Sequence, residues 1–469
     1  MTANRKPWSA QNDRELRLSK VGWVLGLVFA VAVLVAGGIF WGLVVLLDFQ
    51  EIDSTTKLDA KTLFDLVKLS FGVVAGAGAL VALVVAYRRQ RVDEAGAHRE
   101  ATRLHTERFT QAVEQLGSDS PAVRLGGVHA LAGLADDAPD NNLRQTCIDV
   151  LCAYVRLPFP PDPGDPPDDT STEEQREAHQ DKKDRYRALR EVRHTILRLI
   201  GDHYRVPHGA HRSWQGCDLD LTGITIDGGM DFRGAVFSGG LVSFGGAVFS
   251  GGLVSFRGAV FSGGLVSFSG AEFSGGLVSF TAAEFSDGTV AFDAAAFSGS
   301  VVAFDAAVFS GGTVDFGAAV FPGGMVDFTA AVFSSGMVDF GAAVFPGGTV
   351  SFGGAVFSGG LVAFGGATFS GSEVHFDAAR FSGSEMHLGA EFSGGLVAFT
   401  AAVFSDGTVD FGAATFSGSE VHFYAVTFSG STVYFNHATG SAPTGLLAAV
   451  GNPVPGTVKL PSAWLPSNP

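Results

Sequence analysis

The sequence predicts a mixed chain of three parts: an N-terminal transmembrane helical hairpin, a small α-helical segment and a C-terminal β-helix with a 12-residue period. Two long uncharged stretches near the N-terminus predict the hairpin. Phenylalanines that recur in alternating steps of five and seven residues predict the β-helix. A chain of 469 residues is also too long for one ordinary hydrophobic core, which agrees with several parts.

The first element is the hairpin. Val21–Leu47 contains no charged residue and exceeds the roughly 20 residues that a helix needs to cross a bilayer. Trp23 and Trp41 lie near its ends, where interfacial anchors are frequent. Leu69–Tyr87 is a second uncharged run. We therefore predict transmembrane helices at 21–47 and 69–87, joined by an external loop at 48–68.

The charges that flank the hairpin predict its orientation. Basic residues precede the first run and follow the second, at Arg5, Lys6, Arg14, Arg17, Lys20, Arg88, Arg89 and Arg91. The positive-inside rule then places residues 1–20 and everything after residue 87 in the cytoplasm. The expected localisation is the cell membrane, multi-pass, with the lipid bilayer as one partner and with a cytoplasmic N-terminus and repeat array.

The middle of the chain predicts helices and a linker. Residues 88–157 form a helical segment, because a charged helix leaves the hairpin and apolar residues then recur near a period of 3.6. Residues 158–174 are rich in Pro and Asp and predict a flexible linker. Residues 175–211 form a further helix and a connector. The histidines in and after this helix do not share one rigid element, so they predict no metal site: His194, His203, His208 and His211.

The three cysteines predict neither a disulfide framework nor a zinc site. Cys147, Cys152 and Cys217 are too few and too irregularly spaced for either. We expect buried or idle thiols.

The third element is the repeat array. Of 41 phenylalanines, 34 follow the five–seven rhythm between Phe232 and Phe435, so the rhythm reflects architecture rather than composition. In Thr313–Phe321, side chains two apart share a face, which places Val314 inward and Asp315 outward. Such short apolar faces require stacked copies. The predicted core includes Phe237, Phe244, Phe249, Phe256, Phe316, Phe321, Phe328 and Phe333.

Read in five-residue words such as VSFRG and AVFSG, residues 212–437 resemble the pentapeptide-repeat family. This resemblance implies a four-sided, right-handed β-helix. Because two words plus two extra residues make 12, two repeats would form a coil of 24. A flat, two-sided solenoid with one 12-residue repeat per coil is the alternative, and the four-sided form is preferred because it leaves more room for phenylalanine. Residues 438–469 form a Pro-rich tail that is expected to cap the open end.

The resemblance also extends beyond the array. The two spans, the segment RFTQAVEQLGSDSPAVRLGGVHAL and the repeats together resemble membrane-anchored pentapeptide-repeat proteins of actinobacteria.

Outward positions of the array are strongly acidic. Residues 217–437 carry 19 acidic residues against three arginines and no lysine, and the whole chain has a net charge of −16. This balance argues against direct binding of nucleic acid. Asp315, Asp327 and Asp339 recur every 12 residues and form a candidate interaction surface. The simpler interpretation is that the acid keeps a Phe-rich rod soluble.

A second outward feature is a recurring Glu-x-His pair. It occurs as Glu373 with His375, Glu385 with His387, and Glu420 with His422. In a 12-residue coil the first two pairs would occupy adjacent rungs and form a candidate Zn²⁺ or Cu²⁺ site. In a 24-residue coil they would lie on opposite sides. Copying of a neutral surface pair by repeat duplication is the favoured explanation, so no metal or other cofactor is expected.

No catalytic pattern rises above the repeat background. The sequence shows no Ser-His-Asp spacing, no nucleophile elbow and no glycine-rich phosphate loop with lysine. We therefore predict a non-enzymatic, membrane-anchored scaffold that presents a cytoplasmic β-helical surface to an unidentified protein partner, without a small-molecule substrate. The resemblance implies an alternative, an inhibitor of a type II topoisomerase or another DNA-binding protein that mimics nucleic acid.

Overall fold

The computed structural model describes residues 60–166 and 172–465, together with isolated positions between 26 and 38. Within the described residues from 60 onward, four helices precede the strands: α1 Ala60–Leu116, α2 Pro121–Asp136, α3 Asn141–Arg156 and α4 Glu173–Arg205. A short helix, α5 Leu446–Val450, and a 3₁₀ turn, Ser462–Trp464, follow the repeat array. The chain divides into two units, Met1–Arg103 and Leu104–Pro469, and the array with its flanking helices α2 to α5 belongs to the second.

The predicted transmembrane hairpin is wrong. Across the part of the chain that the structure describes, no helix has the length and apolar character needed to span a bilayer, so the multi-pass membrane localisation is wrong as well. Leu69–Tyr87 is an internal section of α1, a helix of 57 residues with charged residues before and after this section. The prediction used the hydropathy of a stretch of sequence, which reflects composition and does not show where a helix begins or ends. Val21–Leu47, apart from isolated positions, and residues 1–20 and 48–59 lie outside the described residues.

The C-terminal part is a β-solenoid of 31 short strands, as the sequence predicted. Seven strands have eight residues: β4 Val236–Ser243, β7 Val260–Ser267, β10 Glu284–Ala291, β22 Thr368–His375, β23 Arg380–His387, β24 Glu391–Ala398 and β25 Val403–Asp410. Ten have three: β6 Leu253–Ser255, β9 Leu277–Ser279, β12 Val301–Ala303, β14 Thr313–Asp315, β15 Met325–Asp327, β17 Met337–Asp339, β19 Thr349–Ser351, β21 Leu361–Ala363, β27 Glu420–His422 and β29 Thr432–Tyr434. The others have two: β1 Leu219–Asp220, β2 Thr225–Ile226, β3 Met230–Asp231, β5 Val248–Phe249, β8 Glu272–Phe273, β11 Ala296–Phe297, β13 Val308–Phe309, β16 Val332–Phe333, β18 Val344–Phe345, β20 Val356–Phe357, β26 Thr415–Phe416, β28 Thr427–Phe428, β30 Thr439–Gly440 and β31 Val458–Lys459.

One coil of the solenoid contains two 12-residue repeats. Val236 pairs with Val260, and Leu253 pairs with Leu277, in parallel registers that advance by 24 residues. The described strands divide among three parallel sheets. The structure therefore has the longer of the two coils that the sequence left open.

Four columns of phenylalanine fill the solenoid. Each ring stacks on its equivalent in the next coil except where Leu388 occupies a phenylalanine position; Phe237, for example, stacks on Phe261 at 4.9 Å between centroids, with the planes only 5° apart. Neighbouring columns meet edge to face, as Phe244 does with Phe256 at 87°. Both arrangements are favourable for aromatic pairs. All eight phenylalanines predicted as core are at most 2% exposed.

Two kinds of turn close each repeat, and both use a positive φ. In the first, the Ala355 N–H donates to the Phe352 carbonyl oxygen at 3.0 Å, and Gly354 is the third residue of the turn, with φ +64°. Nine alanines occupy the same position elsewhere, with φ between 53° and 58°. A Cβ at Gly354 would meet nothing within 4 Å. In the second, a Cβ at Gly360 (φ +73°) would lie 2.5 Å from the carbonyl oxygen of Gly336 in the preceding coil. The first turn therefore tolerates alanine and the second requires glycine unless the corner changes shape.

Both ends of the array are covered. At the N-terminal end, the ring of Tyr204 on α4 lies 5.2 Å from Phe237, and Gln145 on α3 exchanges two hydrogen bonds with the backbone of Asp218. At the C-terminal end, β31 pairs with β29, and Trp464 packs on Phe435 at 5.7 Å. Each end of the phenylalanine columns is thus shielded from water.

Serine replaces glycine at some corners, and the hydroxyl groups then differ in their bonding. Ser372 and Ser384 are at most 1% exposed, and their Oγ atoms have no hydrogen-bond partner. Ser431 is equally buried, but its Oγ donates to the carbonyl oxygen of Asp406 at 2.7 Å. A buried hydroxyl without a partner destabilises the fold, whereas a satisfied one does not.

Replacing the two turn glycines separates steric cost from backbone strain. Gly354→Ala should lower the free energy of unfolding by about 1 kcal/mol, because an L-residue at positive φ is strained. Gly360→Ala adds a collision with backbone, so we expect it to cost at least about 2 kcal/mol more. Urea unfolding of both variants followed by circular dichroism measures the difference, and equal stabilities would contradict the assignment of the two turns.

Alanine substitutions of the buried serines Ser372 and Ser431 should change the free energy of unfolding in opposite directions. Ser372→Ala removes an unsatisfied donor and should raise the free energy of unfolding by about 1 kcal/mol, whereas Ser431→Ala should lower it by about 1 kcal/mol. Thermal melts of the two variants beside the wild type measure both effects. A loss of stability in both variants would show that Ser372 has a partner in solution.

Candidate functional site

The outer surface of the solenoid carries a row of apolar side chains, which we call the apolar ladder: Leu253, Leu277, Val301 and Met325. They occupy equivalent positions on four consecutive coils of one sheet. Their exposed fractions are 50%, 38%, 40% and 37%. Strand alternation causes this exposure, because the valine that follows each of these residues points inward. Three of the four residues, Leu253, Leu277 and Met325, lie in repeated GGLV or GGMV corners, but sequence reasoning did not identify these corners as a surface.

The three aspartates predicted as an interaction surface do not form one ladder. Asp315 and Asp339 are partners on adjacent coils, whereas Asp327 belongs to another sheet. Each Oδ1 accepts the backbone N–H two residues further on, at 2.7 to 2.8 Å. Serine performs the same role at Ser255 and Ser351. These carboxylates therefore stabilise the first kind of turn, and the remaining lone pairs face outward.

The 24-residue coil places the first two Glu-x-His pairs on different sheets. Glu373 and His375 lie on β22, and Glu385 and His387 lie on β23, which belongs to a different sheet. The four residues of the candidate metal set are therefore not brought together. In the side-chain conformers of the described residues, no group of three or more His, Cys, Asp or Glu is arranged to hold a metal.

Burial makes two of the thiols unreactive. It raises the pKa of Cys147 and of Cys152 to about 12 in each case, so neither is a thiolate near neutral pH. Cys147 Sγ lies 4.0 Å from His105 Nε2, but that nitrogen is also within hydrogen-bond distance of the Leu134 carbonyl oxygen, at 3.1 Å. This Cys-His pair does not have the features of an activated nucleophile.

A buried carboxylate joins the helices to the entrance of the array. Asp136 ends α2 and accepts hydrogen bonds from Trp214 Nε1 and Arg212 Nε, each at 3.0 Å. His203 Nε2 lies 3.1 Å from the same carboxylate, and its ring stacks on Trp214 at 4.1 Å. Burial alone raises the pKa of Asp136, but the bonds from His203, Arg212 and Trp214 lower it below its usual range.

A second carboxylate, Asp227, is held by one face of α4. Tyr186, Arg190 and His194 are spaced by four residues and therefore share a face. Tyr186 donates its phenolic hydrogen to Asp227, and Arg190 Nε and His194 Nε2 lie 3.4 and 3.6 Å from it. Burial alone raises the pKa of Asp227, but the hydrogen bonds from His194 and Tyr186 and the charge of Arg190 hold it at about 2. Burial and the hydrogen bond raise the pKa of Tyr186 to about 12, so it remains a donor.

A cleft of about 570 Å³ lies beside this contact, between α4 and the first coils. Its arginines all have carboxylate partners: Arg198 and Arg205 bind Asp202, and Arg233 binds Asp231. Because these charges are neutralised within the cleft, it offers no strong site for an anionic ligand among the described lining residues.

Sequence reasoning did not find the Asp136 and Asp227 clusters. Their members are separated by 78 residues for Asp136 and Trp214, and by 41 for Tyr186 and Asp227. The only local signal was the four-residue spacing of Tyr186, Arg190 and His194. Both clusters are structural links between the helices and the array.

Comparison with known proteins identifies no relative, so the function must be inferred from the fold and the surface of this protein. No protein-family model, no curated protein and no solved structure matches this chain. The regular phenylalanine spacing of the solenoid is consistent with a pentapeptide-repeat protein. The structure gives no support to the membrane-anchored actinobacterial type that the sequence resembled.

The lowered pKa of Asp227 predicts acid sensitivity at the helix–array contact. An aspartate with a pKa of about 2 when folded and about 3.9 when unfolded stabilises the fold fully above pH 4 to 5, and this contribution is lost as the pH falls towards 2. Asp227→Asn should therefore be less stable than wild type by about 2 kcal/mol at pH 7, and the gap should narrow at pH 3. Urea unfolding followed by tryptophan fluorescence measures the two stabilities at each pH. Glu284→Gln, at an exposed position on β10, is the control. A gap independent of pH would contradict the role of the carboxylate.

Proposed function

We propose that this protein is a non-enzymatic interaction scaffold whose solenoid binds a protein partner through its outer surface. The apolar ladder is the observation that carries this proposal. Four large apolar side chains stand in line at more than a third exposure on a rigid sheet. Contiguous exposed apolar residues are typical of interaction surfaces.

The division of labour within each repeat supports this interpretation. Inward positions are occupied by Val, Ala and Phe that are almost fully buried, so they are restricted to packing. Outward positions vary from coil to coil, for example from Leu277 to Thr349 along the ladder sheet. Repeat proteins use variable outward positions on a regular frame to bind partners.

The chemistry of the described residues supports a non-enzymatic role. The buried thiols are protonated, the cleft beside α4 has internally paired charges, and the carboxylates of Asp315, Asp327 and Asp339 are bonded to their own turns. The positions of these aspartates weaken the alternative of nucleic-acid mimicry. Asp315 and Asp339 lie on one sheet and Asp327 lies on another, so the three carboxylates are not aligned like the phosphates of a nucleic acid.

A charge placed in the apolar ladder should abolish partner binding. Val301→Glu puts a carboxylate at the centre of the ladder, and we expect at least a tenfold loss of partner recovery in proximity labelling with the full-length chain, because a charge must then be desolvated. Thr313→Glu is the matched control, since Thr313 also begins a three-residue strand but lies in another sheet. Unchanged recovery with Val301→Glu, or equal loss with both variants, would contradict the proposal. Equal inhibition of a type II topoisomerase by wild type and Val301→Glu would favour the mimic instead.

A further inference from the structure

The register of the solenoid brings together two Glu-x-His pairs that are far apart in sequence. His375 pairs with Ala398, and Ala398 pairs with His422, so the two histidines occupy the same position on one sheet, two coils apart. Glu373 and Glu420 are aligned in the same way, with Leu396 between them. One coil in this region has 23 residues, which is why the two pairs are 47 residues apart in sequence.

The distance between these histidines suits a shared metal ion. The rings of Phe376, Phe399 and Phe423, each next to one of the three outward residues, stack at 4.8 Å per coil. The Cα atoms of His375 and His422 are therefore about 10 Å apart. A histidine places a zinc ion about 6 Å from its Cα when the Zn–N bond is about 2.1 Å, so two leaning rings reach one ion above the intervening residue.

Ala398, the residue between the two histidines along the sheet, has a small side chain that does not separate them. It points outward, yet it is 5% exposed, whereas the outward Ala303 and Ala363 at equivalent positions are half-buried. The flanking histidine rings account for this cover, since they are its neighbours along the sheet. A longer side chain at this position would fill the gap between the rings.

The histidine on the first coil already has a carboxylate partner at one ring nitrogen. His375 Nδ1 lies 3.1 Å from Asp377 Oδ2, and in the neutral tautomer that donates its hydrogen to this carboxylate the lone pair is on Nε2. A carboxylate on the second ring nitrogen is the usual support of a zinc-bound histidine. His375 Nε2 lies 3.6 Å from Glu373, and His422 Nε2 lies 3.5 Å from Glu420, so one carboxylate stands beside each nitrogen.

We propose that His375 and His422 bind one Zn²⁺ through their Nε2 atoms, with the carboxylates of Glu373 and Glu420 as the other ligands. Two imidazoles and two carboxylates form a tetrahedral set that suits zinc. In the present conformers each histidine contacts its own glutamate, so binding turns both rings toward the gap above Ala398. Both rings are partly exposed, and the His422 ring lies 5.0 Å from the ring of Tyr424, so binding moves it away from this contact.

The chain contains an internal control for this site. His387 has the same Glu-x-His motif, but its neighbours along its own sheet are Ala363 and Asp410. Two coils away the corresponding residues are Asp339 and Tyr434, so no second histidine is within reach. A motif that binds metal by itself would act at His387 as well, whereas a site formed by the register would not.

The test titrates the full-length chain with ZnCl₂ by calorimetry and with CoCl₂ by visible absorption. We expect wild type to show a tetrahedral cobalt spectrum that His375→Ala and His422→Ala abolish, with at least a tenfold loss of zinc affinity. His387→Ala should retain the affinity within twofold. Asp377→Asn should weaken binding by 10- to 100-fold through the orientation of His375. Ala398→Leu should block binding without removing a ligand.

Thermal melts of each variant without metal show whether the fold is retained. The proposal is overturned if wild type gives no tetrahedral cobalt spectrum, if His422→Ala binds zinc as wild type does, or if His387→Ala reduces the affinity as much as His422→Ala. Unchanged binding by a folded Ala398→Leu variant would also overturn it, because the ion would then not lie between the two coils.

Discussion

The separation of neighbouring coils equals the stacking distance of phenylalanine rings, and the rest of the solenoid depends on this match. Parallel strands lie about 4.8 Å apart, and rings such as Phe309 and Phe333 stack at 4.6 Å. A ring column can therefore continue through the array without a gap or a collision. In the 23-residue coil, Leu388 interrupts one column, but the other three stay in register, because the missing residue is taken from the turn after Leu388 and Phe369 still stacks on Phe392 at 5.1 Å.

Once the interior is fixed in this way, variation is confined to the outer surface. The outward positions of three-residue strands carry Leu, Met, Thr, Asp, Glu or His without altering the coil. Some of this variation still serves the fold, as the bonds from Asp315 and Asp339 to their turns show. The apolar ladder and the aligned histidines have no such role in a turn, which is why they are the better candidates for function.

A stack of identical coils has no natural end, and this protein closes it with unrelated elements. The helices cover the first coil through Tyr204 and anchor themselves by the buried Asp136 and the half-buried Asp227, whereas Trp464 covers the last coil. Helices α2 to α4 thus form one compact unit with the array. The lowered pKa values of Asp136 and Asp227 also make this end of the array sensitive to acid.

The residues inside the solenoid could be predicted from the sequence alone. Side chains two apart on a strand share a face, and the five–seven spacing of phenylalanine places the same inward residues in every repeat. All eight predicted core phenylalanines, including Phe237 and Phe333, are buried for this reason. The tertiary structure decided which repeats are neighbours, since local alternation is the same for a 12- and a 24-residue coil. The 24-residue coil separates His375 from His387 and aligns His375 with His422. The packing of α4 against the first coils brings Tyr186 to Asp227. The predicted hairpin was wrong because composition does not reveal where a helix begins and ends.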